Sequence, residues 1–298
     1  MKKSFLYALG LIALILNISC SSQDDGRKVI HFISNPWESM ATIKIPDFND
    51  SLRIMQITDS HISIEDDKES DFMIYAERMH KAYDKPIKHF ILDTSNTTFN
   101  YLDELLLKAK NKNIELLLLT GDIVNFPSAA SVKYVYDRLV ESGIPWLFIS
   151  GNHDWYYEGM PGSPDSLRTT WINMNLAPLY NNNNPLFYSE IVNGINFVGI
   201  DNSTYKVNNE QVQFVKEQLS REEPIILISH IPYSLNKDES QPGTTALVDL
   251  ISSNSDKIIA IFTGHTHSTS FYFTGNLCQY NTLASAQGGS CIVNIISD

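Results

Sequence analysis

Five short apolar runs, each followed at once by residues of the same chemical kind, constrain this chain more than any other feature. The run 52–57 leads to Asp59-Ser60-His61, 115–119 to Gly121-Asp122, and 145–149 to Gly151-Asn152-His153-Asp154. The run 225–228 leads to His230, and 258–262 to Gly264-His265-Thr266-His267. Runs this short and this apolar read as strands buried on both faces. Their polar followers sit at the carboxyl ends, where open α/β sheets place ligands. Each piece alone has an ordinary explanation. Asp-x-His arises by chance, Gly-Asp and Asn-His-Asp are good turn formers, and His230 before Ile231-Pro232 suits a capped core histidine. Gly264-His265-Thr266-His267 says more, since alternate residues after a strand point to the same side. Five such endings in a row are not explained by turns.

Between these runs lie helical patterns. A helix over 99–110 carries Leu102, Leu105, Leu106 and Ala109 at i, i+3, i+4 and i+7. A second over 131–141 is expected to bury Val132, Val135, Tyr136, Leu139 and Val140. A third over 208–219 opens with Asn208 and Gln211 at capping-box spacing. Further helices are expected at 245–252 and near 72–83. Short strands are expected at 29–33 and 42–45 around the turn Asn35-Pro36, then at 186–188 and 195–200. Three more fall between 270 and 296, with a turn at Gly288-Gly289. Alternating strand and helix through the middle argues for βαβ units with helices outside. The strand-rich ends argue for a mixed sheet, or for two sheets packed together. No composition shift marks a second domain.

The 298 residues suffice for a large core, and the net charge is −12. That balance argues against tracking a nucleic-acid backbone, which needs a basic footprint. Lys2 and Lys3 followed by an apolar stretch to Leu16 fit a secretory signal, too short to span a bilayer. The stretch Leu16-Asn17-Ile18-Ser19-Cys20 resembles a bacterial lipoprotein signal cut before a lipid-bearing Cys, with Asn17 where Leu is usual. The expected organisation is therefore a signal over 1–19, a polar tether over 20–28 and one domain over 29–298. The expected place is a bacterial cell envelope, anchored through a lipid on Cys20, with plain secretion as the alternative. Cys278 and Cys291 remain, on neighbouring expected strands; a disulfide and two buried thiols are both open.

Imidazole, carboxylate and amide oxygen together suit Zn, Mn or Fe rather than Mg or Ca. The absence of cysteine from the set favours a catalytic over a structural site. The five pieces stand in the order of the calcineurin-like metallophosphoesterases, which the chain resembles from Asp59 to His267. The resemblance implies a four-layer αββα sandwich of class α/β, with two mixed β-sheets face to face and helices outside. It implies two divalent ions, Mn, Fe or Zn. Asp59, His61 and His267 would hold the first, Asn152, His230 and His265 the second, and Asp122 would bridge them. His153 would stand by the leaving group as a general acid, and Asp154 is given no metal.

Two metals about 3.5–4 Å apart clamp the attacking and leaving oxygens of an in-line displacement at phosphorus, and a metal-bound hydroxide attacks. A positioned His then protonates the leaving oxygen. No Gly-x-Ser-x-Gly elbow competes with this reading. The family's branches differ at two points. Purple acid phosphatases place a Tyr three residues after the Gly-Asp aspartate and lack the first-motif His; here stand Asn125 and His61. Protein Ser/Thr phosphatases read Gly-Asp-x-x-Asp-Arg-Gly, against Gly121-Asp122-Ile123-Val124-Asn125-Phe126-Pro127 here. The pattern is closer to the cyclic-nucleotide and general bacterial phosphodiesterases. Asn125 is placed to orient His153. The long insertion 62–98 offers Tyr75, Arg78, His80 and Tyr83, and the loop 159–164 can rim the site. The expected partner is a small phosphoester, mono- or diester. The competing readings are a ligand-binding surface protein without turnover, and a nuclease.

Overall fold

A computed structural model describes residues 31–35, 39–65, 67–72, 74–77, 79, 96–233, 242–274 and 277–298. The expected leader and tether, with Cys20, lie outside the described residues, as do Arg78, His80 and Tyr83. No described helix is long and apolar enough to cross a membrane.

The described strands form two six-stranded sheets. The first contains β1 (His31–Asn35), β2 (Met40–Ile45), β3 (Leu52–Ile57), β4 (Leu116–Thr120) and β5 (Trp146–Ile149). The second contains β6 (Phe187–Val192), β7 (Ile195–Ile200), β8 (Ile225–Ile228), β9 (Ile258–Thr263), β10 (Ser270–Thr274) and β11 (Leu277–Asn281). The last strand, β12 (Cys291–Ser297), returns to the first sheet. The orders are β1-β2-β12-β3-β4-β5 and β10-β11-β9-β8-β7-β6. In the first sheet β3, β4 and β5 run parallel out to the edge strand β5, and β12 lies antiparallel to β3. In the second a parallel centre, β11, β9, β8 and β7, is flanked by the antiparallel edge strands β10 and β6.

Alternation along each strand builds the layers, because successive side chains face opposite ways. Leu116 and Leu118 of β4 join Leu52 and Ile54 of β3 in a core that also contains Phe197, Ile226 and Phe262 of the second sheet. Leu117 and Leu119 face the other way. They pack under α1 (Thr98–Asn111), α2 (Ala129–Ser142) and α3 (Pro164–Trp171). On the far side Val198, Leu227 and Ile261 pack under α4 (Asn209–Leu219) and α5 (Pro242–Ser253). The result is the expected αββα sandwich of two mixed sheets with helices outside.

One local expectation is corrected, and one open alternative is decided. In α2 the buried stripe is Val132, Val135 and Leu139; Tyr136 and Val140 are 37% and 52% exposed. They flank the stripe by one further helical step, and the Tyr136 ring packs edge-on against Trp146 instead. Cys278 and Cys291 lie on β11 and β12, which belong to different sheets, and both are buried free thiols. Burial pushes each thiol up to about 12.

Candidate metal centre

The site straddles the seam between the sheets. The loops after β3, β4 and β5 bring Asp59, His61, Asp122, Asn152 and His153 from the first sheet, and those after β8 and β9 bring His230, His265 and His267 from the second. Buried polar contacts tie the seam. The Gln56 amide donates to Thr120 Oγ1 at 2.8 Å and to the Thr263 carbonyl at 2.9 Å.

The loops turn sharply. Asp59, His61, Asp122, His265 and His267 all have φ between 46° and 66°. Non-glycine residues seldom adopt this region, and clusters of them mark functional sites. The two histidines after β9 therefore do not follow strand alternation, as the spacing implied: the chain leaves extended geometry, and each ring enters a different group. Gly121 has φ 89°, and a Cβ there would lie 2.5 Å from the Gly151 nitrogen and 2.5 Å from His230 Nδ1. A side chain would force the β4 and β5 loops apart.

The side chains gather into two groups that share Asp122. Asp59, His61, Asp122 and His267 each offer a ligand atom within 4.8 Å of the others, and so do Asp122, His230 and His265. His61 Nε2 and His267 Nε2 are 3.2 Å apart, and His267 Nε2 is 3.1 Å from Asp59 Oδ1. His230 Nδ1 donates to the Thr120 carbonyl at 2.8 Å, because a carbonyl only accepts. A neutral His230 thus turns the bare Nε2 towards Asp122 Oδ2 at 3.2 Å. Two lone pairs so close require a positive charge between or beside them, a proton or a metal cation. Asn152 Oδ1 is buried with no hydrogen-bond partner among the described residues. Nitrogen and oxygen donors without sulfur, crowded in this way, fit divalent transition ions.

The titration of these groups follows from burial and from one another. Burial alone would raise the Asp122 carboxyl, but the imidazoles of His230 and His153 outweigh it and hold Asp122 well below the usual carboxylate range. Burial would lower His230, but Asp122 lifts it to about 10. Burial, reinforced by the His153 ring, holds His61 well below the usual imidazole range. Burial and His230 push His265 down to about 4. His61 and His265 are therefore held neutral, the form that ligates metal.

Around the two groups stand further polar residues held by hydrogen bonds. His153 is half-buried. Its backbone N–H donates to Asp122 Oδ1 at 2.7 Å, and its Nδ1 is 3.0 Å from Asn125 Oδ1. The Asn125 amide nitrogen donates to the Met79 carbonyl at 2.9 Å. This fixes which way the amide points, so the oxygen faces His153, as the position of Asn125 suggested. Asp154 is fully buried and accepts three backbone N–H bonds, from Gly151 at 2.7 Å, Asp122 at 2.8 Å and Val124 at 2.9 Å. Burial and the Asp122 carboxylate push it up to about 8, while backbone donors act the other way.

Two participants escape the motif reading. Tyr205 OH lies 3.0 Å from His265 Nε2. Asn202 exchanges two hydrogen bonds with the Ile231 backbone, at 2.7 and 2.9 Å, and so holds the loop of His230. Both follow β7. Its run 195–200 also ends in polar residues, Asp201-Asn202-Ser203-Thr204, a sixth ending that the sequence displays. Tyr75, the one described member of the candidate helix contacts, packs against the first helical layer.

The sequence model of the calcineurin-like phosphoesterase family matches residues 52–269. The chain belongs to that family. Within it, two curated relatives are each named a probable cyclic nucleotide phosphodiesterase. The one from Moraxella catarrhalis is 40% identical over 50 residues, 17% of this chain and 18% of the relative. The one from Psychrobacter arcticus is 27% identical over 123 residues, 40% of this chain and 36% of the relative. The chain thus spans about a fifth and about a third of the curated relatives it matches. Among solved structures, a dimetal phosphatase from Danio rerio superposes with a TM-score of 0.54 at 10% identity, over 79% of this chain and 88% of that one. At that identity the likeness is one of fold.

Proposed function

We propose that this calcineurin-like phosphoesterase hydrolyses a small phosphodiester at a dinuclear metal centre. The observation that carries the reading is the pair of ligand groups that share Asp122, assembled from both sheets with His153 beside them. Asp59, His61 and His267 would hold one ion, Asn152, His230 and His265 the other, and Asp122 both. When bound, two such ions polarise the phosphoryl group, activate water and neutralise charge in an in-line displacement. The chain's own residues do the rest. Asp122 Oδ1 accepts from the His153 backbone and so ties the proton donor to the shared ligand. Asn125 Oδ1 accepts from His153 Nδ1–H, which makes Nε2 the nitrogen that gives a proton to the leaving oxygen.

The names of the two curated relatives favour a diester over a monoester as substrate. Metal-stripped protein refilled in turn with Mn, Zn, Fe or Mg, and offered an aryl phosphate diester and monoester, tests the proposal. Turnover is expected to return with metal and to favour the diester. No turnover of either ester with any metal would overturn it, and digestion of nucleic acid in preference to small esters would point to a nuclease. Lys2, Lys3, the apolar stretch and Leu16 to Cys20 support export, with a lipid anchor on Cys20, a tether over 20–28 and a catalytic domain over 29–298. The mass of the mature amino terminus checks it, and a start other than a lipidated Cys20 contradicts it.

A further inference from the structure

Tyr205 lies outside every motif that supplies a ligand, on the loop that follows β7. We propose that Tyr205 is a positioning residue of the metal centre: its phenol oxygen accepts the Nε2–H of His265 and so aims that ring at the ion held with Asn152 and His230. The inference rests on the dinuclear reading and goes beyond the ligands themselves.

Three observations lead there. The first is the backbone. Tyr205 has φ 60° and His265 has φ 66°, so both partners of the contact occupy the left-handed region. For a side chain as bulky as Tyr this is an outlier that the surrounding structure must impose. Burial of the ring does not offset the strain. Tyr205 is 52% exposed, and its ring lines an apolar cavity of about 290 Å³ beside Asn152, with Trp155, Met160 and Leu167.

The second is the bracing of the loop. Asp201 Oδ1 accepts from the Ser203 N–H at 2.8 Å, and the Tyr205 N–H donates to the Asn202 carbonyl at 2.8 Å, which closes a turn. The Asn202 side chain is bonded both ways to Ile231, so this loop is fastened to that of His230. Beyond the turn, the Val207 N–H donates to Thr244 Oγ1 of α5 at 3.2 Å. The loop is thus fixed on both sides of Tyr205, and it presents a hydroxyl to the centre.

The third is the partner. Among the described residues Tyr205 Oη is the one hydrogen-bond partner of the His265 ring, 3.0 Å from Nε2, with the two rings edge to face at 79°. A neutral imidazole carries one N–H and one lone pair. A phenol that donated to Nε2 would leave the N–H on Nδ1 and no lone pair for an ion. Ligation and the Tyr205 contact coexist only when Nε2–H donates, and ligand histidines are generally oriented by such a bond from the second nitrogen to an oxygen. His230 is fixed in the same manner by the Thr120 carbonyl at the end of β4. The half-buried His265 relies on Tyr205.

Calorimetric titration of metal-stripped protein with Mn tests the proposal on two variants. Tyr205→Phe removes only the hydroxyl; Tyr205→Gly suits the backbone angle and removes the ring as well. The wild type is expected to bind two ions per chain. Each variant should bind one of them as the wild type does and the other about 10–100-fold more weakly. The thermal midpoint of stripped Tyr205→Phe should stay at the wild-type value. Imidazole nitrogen NMR shifts of the stripped wild type should place the His265 ring proton on Nε2, and those of Tyr205→Phe should show a mixture of tautomers. If one variant misfolds, the other still gives the answer. Wild-type affinity for both ions in a folded variant, equal weakening of both ions, or a His265 proton on Nδ1 in the wild type would overturn the proposal. A wild type that binds no more than one ion would sink the dinuclear reading and this inference with it. Two ions bound alike by wild type and variants would sink the inference alone.

Discussion

Asp122 carries three duties on one carboxylate: it belongs to both ligand groups, faces His230 at 3.2 Å, and accepts the His153 backbone at 2.7 Å. His153 is thereby placed by Asp122 and Asn125 without being assigned to either metal. His153→Ala should keep the metal content and the fold. Its kcat/KM loss should depend on the leaving group. An alkyl ester, with its poor leaving alkoxide, should slow by about 10²–10⁴-fold. A nitrophenyl ester, which leaves as a stabilised anion, should slow far less. Equal losses on both would make His153 a phosphate-positioning residue, and loss of metal would make it a ligand. Asp154 acts at one remove, as the acceptor that binds the β4 and β5 loops into one body. Asp154→Asn replaces one accepting oxygen by a donor that faces backbone N–H groups. It should lower stability by about 1–3 kcal/mol, read from the urea midpoint, and weaken metal binding with it. An unchanged midpoint would deny the clamp.

At the scale of elements, what the chain shows in advance is local. The strands before the five motifs and the helices α1, α2 and α4 fall within two or three residues of the periodic patterns, and Asn208 and Gln211 form the expected capping box. Helix α3 does not show in the apolar periodicity, although Ser163-Pro164-Asp165 is a helix start: Ser163 caps the Ser166 N–H, and Pro164 occupies the first turn. Its eight residues are too few for the apolar period to stand out. What anchors α3 is long-range, the pairing of Arg168 with the fully buried Asp201. Arg168→Met should therefore destabilise the fold by about 3–5 kcal/mol, since Asp201 is left as an uncompensated buried charge. Thermal unfolding measures this. A variant as stable as the wild type would mean that the hydrogen bonds from Ser203 and Ser150 satisfy Asp201 without the guanidinium.

For the whole molecule, the motifs reveal which residues meet but not through which sheet they arrive. An apolar run states that a strand is buried, yet leaves its neighbours open. Thus β12 inserts between β2 and β3 from the far end of the chain, and Cys278 and Cys291 part into different sheets. The left-handed backbone at five of the site residues is equally illegible, because it is imposed by the meeting of loops from two sheets and not by local preference. The same meeting places Tyr205 at His265 and the apolar cavity beside Asn152. Everything proposed for the chemistry depends on two ions sharing Asp122, and a count of bound metal tests that most directly. Protein purified without chelator and offered Mn or Zn should hold two ions per chain by elemental analysis; His267→Ala should empty chiefly one site, and Asp122→Ala should weaken both and abolish turnover. No more than one ion per wild-type chain would contradict the dinuclear centre.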